Sequence, residues 1–420
     1  MPTKTALTTE ILAGFTTFFT MAYIVVVNPM MLNHAGMDYN AVFVATCLSA
    51  AFGCIVMGLL ANYPIALAPS MSLNAYFSFY VVQQLHFPWQ AALGIVFLAG
   101  LLFAILTGTQ LRQWLIYAMP QSLKMAIAAG IGLFLVAIAL KSLNMKLNNH
   151  AASFTNIKIW LCLLGVLIAV ILDRLRIIGA ILIAMVVITS LGSFFHLVHL
   201  EGILSAPPSM SSTFMQLQIP AFNNIQAIVT ILIFLFVTLF DNTGTLIAIL
   251  HQAKLLPKDR HDIKAKRLNK ALFADSLAAM FGAFMGTSST GSYIESAAGV
   301  RAGGRTGLTS IVVGILFLCA LFFAPLAKAI PDYAAAAALI YVGMLMTTNI
   351  LSIHWRDFTE SFPALLCVCL IPITFSIADG ISMGFISYVL LKSVAGKRHD
   401  LSAGIWLIAG LCALYLVIRV

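Results

Sequence analysis

The sequence predicts an all-α polytopic membrane protein of about fourteen spans, folded as two inverted halves of seven. Three observations carry that expectation. Of 420 residues, 61% are hydrophobic and only 9% charged, where a soluble globular chain carries about a quarter charged residues. Apolar segments recur along the whole chain. A helix that crosses the hydrocarbon core needs ~20 residues, so about fourteen of them consume roughly two thirds of this length and leave only short loops. Finally, a single residue offset relates unusual positions in the first half to unusual positions in the second.

The segments of the first half lie near 11–33, 41–62, 65–84, 91–109, 120–140, 157–173 and 176–197. The first reads as a span rather than a leader peptide, because its apolar run is too long and lacks a cleavage-like tail. The second half supplies 223–250, 268–287, 290–300, 305–327, 333–353, 362–377, 379–394 and 403–419. Segments 362–377 and 379–394 meet at Asp379-Gly380. They read either as half-spans or as one long bent element, and the role of 403–419 depends on that choice. The expected division is a first repeat over 1–200 and a second over 201–420.

The net charge of +9 raises the question of nucleic acid, but its distribution answers it. Lys254, Lys258, Arg260, Lys264, Lys266, Arg267 and Lys270 fall in one loop, while no Lys or Arg occurs from Ile177 to Ala253. The positive-inside rule produces that asymmetry, which places loop 251–270 in the cytoplasm and makes the charge a topology signal. No nucleic-acid partner is expected. Cys47, Cys54, Cys162, Cys319, Cys367, Cys369 and Cys412 all lie in apolar runs, and their spacing suggests no disulfide framework. Cys367 and Cys369 would point to different faces of a helix and make a poor metal pair. His196 and His199, with Glu201 nearby, read as interfacial residues. No Walker motif, nucleophile elbow or HExxH is present, so no cofactor, metal or enzymatic activity is expected.

The longest polar stretch without a basic residue, 198–222, sits at mid-chain. On either side of it an offset of 221 pairs Phe15, Thr17, Phe19 and Thr20 with Phe236, Thr238, Phe240 and Asp241, and also pairs Asn74 with Glu295. An offset of 211 pairs Ala118, Pro120, Ala126 and Gly132 with Ala329, Pro331, Ala337 and Gly343, as a ten-residue deletion would give. Seven spans per half would invert the second half, the plan of many secondary transporters. The third and tenth segments are poor spans. Segment 63–85 carries Pro64, Pro69, Ser70, Ser72 and Asn74, and segment 284–300 is short and dense in Gly, Ser and Thr. Helix packing through small residues would explain one such segment. Two at matched positions point to a binding site, because irregular backbone at membrane depth survives only inside protein or beside a water-filled cavity.

Among fourteen acidic residues, Glu10, Asp38, Asp173, Glu201, Asp259, Asp262, Asp332, Asp357, Glu360 and Asp400 fall in loops or at segment ends. Asp379 precedes a glycine and reads as a turn residue. Asp275, five residues past the basic loop, is expected near the cytoplasmic interface. Asp241, after a long apolar run, and Glu295, in the broken tenth segment, remain. An ionisable group at depth is expensive and marks function by default, although a carboxylate bonded to backbone N–H groups would serve structure alone. Ionised, such a carboxylate accepts substrate N–H groups; near its pKa it carries a proton. Asn74 offers a donor and an acceptor. Tyr293, Tyr76 and Phe77 offer aromatic faces, and Arg301 and Arg305 read as the end of the tenth segment.

Four stretches carry a resemblance: A-G-F-T-T-F-F-T-M-A-Y-I-V (13–25), N-Y-P-I-A-L-A-P-S-M-S-L-N-A-Y-F (62–77), L-F-D-N-T-G-T-L-I (239–247) and G-T-S-S-T-G-S-Y-I-E-S-A-A-G-V-R-A-G-G-R-T-G-L-T (286–309). With them nearly the whole chain resembles the AzgA-like purine nucleobase permeases, within the nucleobase–ascorbate transporter class. The resemblance implies core segments 11–109 and 223–327, and gate segments 120–197, 333–394 and 403–419. It implies short antiparallel strands in segments three and ten, proton symport of adenine, guanine or hypoxanthine, and a homodimer in the plasma membrane, as in the inner membrane of a bacterium. It makes Asn74, Asp241 and Glu295 the principal substrate positions, with Asp241 and Glu295 also coupling the proton. Their neighbours Ser72, Leu73, Ser292, Tyr293 and Thr245 complete the candidate set. Where the family has glycines in the third-segment motif, this chain has Ser70 and Ser72, each adding a hydroxyl beside the expected pocket. Competing expectations are an anion carrier on the same architecture, against which Glu295 speaks, and a channel or intramembrane enzyme, for which no catalytic constellation is seen.

Overall fold

Backbone in hydrocarbon must satisfy its own N–H and C=O groups, so the long apolar runs become helices. A computed structural model describes residues 4–109, 119–143, 156–198, 202–221, 225–255 and 263–419. Ala118, His199, Glu201, Lys258, Asp259, Arg260 and Asp262 lie outside the described residues. The first half contains α1 (Lys4–Met21) and α2 (Ile24–Asn33), which together form one kinked span, and α3 (Tyr39–Val56), prolonged by a π-helical turn over Met57–Ala61. Strand β1 (Leu67–Pro69) follows, then α4 (Met71–Ala75) with a π-helical continuation over Tyr76–Val82. Helices α5 (Trp89–Gly108), α6 (Gln121–Ser142), α7 (Ile157–Arg174) and α8 (Ala180–Phe194) complete it. The second half contains α9 (Ile225–Gln252), α10 (Ile263–Met285), β2 (Thr290–Ser292), α11 (Ser296–Arg301), α12 (Gly307–Ala320) and α13 (Ala324–Ala329). It ends with α14 (Asp332–Thr347), α15 (Phe358–Thr374), α16 (Ile377–Val394) and α17 (Ala403–Arg419).

Among the described residues, eight helical stretches are long and apolar enough to cross a membrane by themselves. The shorter or more polar α7, α8, α10 and α15 and the two strand-broken segments bring the spans to fourteen, seven in each half. The alternatives left open at Asp379-Gly380 are resolved. Helices α15 and α16 lie antiparallel and side by side, with Gly380 against Cys367 and Ile371 and Gly384 against Cys367 and Pro363. Segment 403–419 is therefore a further apolar helix, packed on α16.

Two packed bodies result. One gathers α1, α3, α5, α9, α10, α11 and α12 around the strands; the other gathers α6, α7, α8, α14, α15 and α16. Salt bridges brace the end of the second body. Lys392, almost fully buried, meets Asp400 at 3.0 Å and Glu360 at 3.4 Å, and Lys397 meets Asp357 at 2.7 Å. The Lys397 ammonium, with Thr359, holds the Asp357 carboxyl below the usual carboxylate range. Glu10, expected to be a segment-end residue, is buried on α1 instead. It accepts bonds from the backbone N–H groups of Arg305 (2.9 Å) and Thr306 (3.1 Å) at the start of α12.

The inversion is visible in contacts. Strands β1 and β2 pair antiparallel, with Leu67 opposite Ser292, Ala68 opposite Gly291 and Pro69 opposite Thr290. The offset of 221 also makes Pro69 and Thr290 equivalent, and equivalent residues that face each other lie on the axis relating the halves. Gly132 on α6 and Gly343 on α14, equivalent at the offset of 211, meet backbone to backbone. A Cβ on either would strike the other's carbonyl oxygen.

Candidate functional site

The broken segments cross at the strands because their backbone finds partners there. Ser70 N–H donates to Ser289 O (2.9 Å) and Tyr293 N–H to Ala66 O (3.0 Å), extending the ladder at both ends. Side chains serve the remaining backbone groups: Ser296 Oγ accepts from Ala66 N–H (2.9 Å), and Ser310 Oγ donates to Ile65 O (2.7 Å). Helix α9 comes directly onto β2 at Gly291, where a Cβ would overlap the Asn242 amide.

That approach brings Asp241, mid-way along α9, onto the β1–α4 turn. Its Oδ2 accepts hydrogen bonds from Ser72 Oγ at 2.5 Å and Ser70 Oγ at 3.0 Å, and the two hydroxyls are 2.9 Å apart. Glu295 stands immediately before α11, and its Oε1 accepts from the Tyr23 hydroxyl at 2.6 Å. Tyr293 donates to Pro69 O at 2.6 Å, tying the two crossing segments together, and lies within electrostatic range of both carboxylates. Asp241 and Glu295 both stand at the crossing of the broken segments. Both are half-buried while most of their surroundings are fully buried. Thr245 lies one turn beyond Asp241 and is half-buried too.

The structure thus brings Asp241, Ser72, Tyr293 and Glu295 together, with Thr245 on the same face of α9. Other expected members face elsewhere. Asn74 is fully buried; its amide donates to Asn28 Oδ1 and accepts from Ser288 Oγ. Asn28 in turn donates to Thr46 (2.6 Å) and Thr287 (2.9 Å), making a buried polar knot behind the strands. Leu73 is fully buried in the main apolar core. Ser292 Oγ donates to Asp275 at 3.4 Å. Tyr76 and Phe77 are packing residues in the α4 continuation, Tyr76 stacking on Tyr80 with centroids 5.1 Å apart.

Two expectations need correction. Asp275 is not at the interface: it is fully buried on α10, beside β2, and also accepts from Asn242 Nδ2 at 3.4 Å. The apolar run around it, A-L-F-A-D-S-L-A-A-M-F, was the signal to follow. Asp379 does not turn the chain: the turn falls at Phe375, and Asp379 lies in the first turn of α16. Ser376 caps α16 by accepting its N–H at 3.3 Å, and its carboxylate accepts from Tyr415 at 2.8 Å, whose hydroxyl lies 3.2 Å from that of Tyr80. Tyr23 and Asn28, both in the first span, were not singled out by sequence.

Among the described residues no group of His, Cys, Asp and Glu is arranged to hold a metal. His196 is exposed, Cys367 is buried and Cys369 exposed, and Arg305 closes α11 by donating to Val300 O (2.6 Å) and Gly304 O (2.7 Å). A cavity of about 50 Å³ between α9, α16 and α17 is lined by Phe236, Ile381 and Cys412 among others; it is apolar and separate from the carboxylates.

The Xan_ur_permease model, described as a permease family, matches residues 8–383. Adenine permease AdeP of Escherichia coli (strain K12) is 45% identical over 97% of this chain and 92% of its own length. Guanine/hypoxanthine permease PbuO of Bacillus subtilis (strain 168) is 41% identical over 95% of this chain and 94% of its own length. Among solved structures, the transmembrane domain of the cyanobacterial bicarbonate transporter BicA superposes with a TM-score of 0.68 at 17% identity, covering 90% of this chain and 97% of that one. At that identity the likeness speaks to the fold alone, two inverted repeats of seven spans.

Proposed function

The chain belongs to the Xan_ur_permease family of membrane permeases, and from that premise we propose that it imports purine nucleobases (adenine, guanine or hypoxanthine) by proton symport. The observation that carries this reading is the pair of half-buried carboxylates, Asp241 and Glu295, both from the second half and each held by hydroxyls of the first where the broken segments cross. A purine is flat and largely neutral, with N–H donors and ring acceptors along its edges. A carboxylate accepts such N–H groups through charge-assisted bonds, and backbone amides of the interrupted segments donate to ring nitrogens or a carbonyl. Two like charges in one site also favour taking up one proton, which suits a coupled carrier. Relatives named for adenine and for guanine/hypoxanthine support a purine as cargo.

In this reading Asp241, Glu295, Ser72, Tyr293 and Thr245 surround the base, and Asp241 and Glu295 exchange the proton. Asn74, Leu73 and Ser292 hold the crossing in shape from behind. Residues 1–200 and 201–420 are the two repeats, and the core body carries the base past a fixed gate body. The protein is a homodimer in a bacterial plasma membrane with loop 251–270 in the cytoplasm. Uptake of radiolabelled adenine, guanine and hypoxanthine in transporter-deficient cells, with and without a protonophore, tests it. Accumulation abolished by the protonophore and by Glu295→Gln is expected; absence of purine uptake at any pH in well-expressed protein would overturn the proposal.

A further inference from the structure

The first span breaks once. Helix α1 ends at Met21, α2 starts at Ile24, and Tyr23 stands in the break, 1% exposed. A tyrosine so buried needs an acceptor for its hydroxyl. It finds one across 272 residues of chain, Glu295 Oε1 at 2.6 Å. The distance is set by helix packing: α1 lies directly on α11, where a Cβ at Gly299 would run into Thr17 Oγ1 and the Ala13 carbonyl. The two halves thereby trade hydrogen bonds crosswise. Asp241 in the eighth span takes hydroxyl protons from the third segment, at Ser70 and Ser72. Tyr23 in the first span gives a hydroxyl proton to the tenth segment. By the offset of 221, Asp241 corresponds to Thr20, one helical turn before Tyr23.

We propose that Tyr23 is a specificity-determining positioning residue: it holds Glu295 Oε1 back against the first span, so that Glu295 receives a single N–H donor from the base. The proposal rests on the purine-carrier reading above. A carboxylate with both oxygens available pairs bidentately with two adjacent N–H donors. The 2-amino-6-oxo edge of guanine presents such a pair, N1–H and the 2-amino group. Hypoxanthine differs from guanine only in lacking the 2-amino group. With Tyr23 in place, the second donor of guanine competes with the tyrosine hydroxyl for Oε1.

The test is the ratio of guanine to hypoxanthine affinity, measured by equilibrium binding to purified, detergent-solubilised protein. Tyr23→Phe is expected to raise that ratio by about tenfold, the scale of one hydrogen bond to a charged group. The same change made in a Glu295→Gln background is expected to leave the ratio where Glu295→Gln alone puts it. A purely structural role would weaken both bases equally, and an unchanged ratio in Tyr23→Phe overturns the proposal. Should that variant fail to fold, 3-fluorotyrosine at position 23 keeps the ring and strengthens the donor. It is expected to lower the ratio, and an unchanged ratio there overturns the proposal equally. Wild-type protein that binds neither guanine, hypoxanthine nor adenine would instead sink the purine-carrier reading itself.

Discussion

Ser70 and Ser72 set how Asp241 is held. The resemblance leads one to expect glycine at both positions, and the hydroxyls that stand there donate to the Asp241 carboxylate, Ser72 at 2.5 Å and Ser70 at 3.0 Å. A hydrogen bond to an ionised group contributes about 1.5–3 kcal/mol. Ser72→Ala should therefore lower purine affinity roughly tenfold, and Ser70→Ala, which removes the longer bond, should lower it less. Binding titrations on the two variants check the ranking, and equal affinities across both variants and wild type would contradict it. The carboxylates themselves were legible in the sequence, because burying a charge is costly and few acidic residues lie inside apolar runs. Their partners were not. Tyr23 and Glu295 are 272 residues apart, and nothing in either stretch of sequence says that they touch. Asn74 was legible as an unusual residue in an apolar segment, yet its amide turns to Asn28 and Ser288, a choice made by packing. Asp275 carries two conflicting signals, a basic loop five residues away that predicts an interface and an apolar run that predicts burial, and packing follows the second.

At the scale of elements, the crossed strands depend on close backbone approach. Gly291 lies under the Asn242 side chain of α9, with no room for a Cβ. Gly291→Ala should push α9 off β2, destabilising the protein by about 1–3 kcal/mol and moving Asp241 with it. The expected outcome is a lower unfolding temperature together with weakened purine binding; a variant with wild-type values for both would remove the contact from the site's support. The positions of the interruptions were readable from Pro64, Pro69 and the Gly, Ser and Thr of the tenth segment, since each disfavours a smooth lipid-facing helix. The strands themselves, three residues each, are too short for any alternation of side chains to announce them, and were expected only from the resemblance. The antiparallel pairing of α15 with α16 was equally hidden, because Asp379-Gly380 allows either a turn or a bend. Contacts with Cys367 and Ile371 decide the matter.

Across the whole molecule, the inverted plan was legible because duplication leaves a constant offset, and the same offsets reappear as contacts at Pro69–Thr290 and Gly132–Gly343. The later C-terminal helix was not legible as an addition to that plan, since its apolar composition matches that of any span. It ties the bodies together: Asp379 on α16 and Tyr415 on α17 reach Tyr80, in the continuation of α4. If the core body travels past the gate body, this chain of hydroxyls must part. With the native cysteines removed, Tyr80→Cys and Tyr415→Cys joined by a short bismaleimide should stop uptake, while each single variant treated alike keeps it. Undiminished uptake by the joined protein would mean that the two bodies do not separate here. The Pro69–Thr290 pair has a consequence of its own. Because the axis through it lies between two oppositely oriented halves, exchanging their conformations turns a molecule that opens on one face into one that opens on the other. The protein then has no built-in arrow. If it is the symporter proposed above, net flow follows the combined gradient of solute and protons, and the same machine runs backwards when that gradient is reversed.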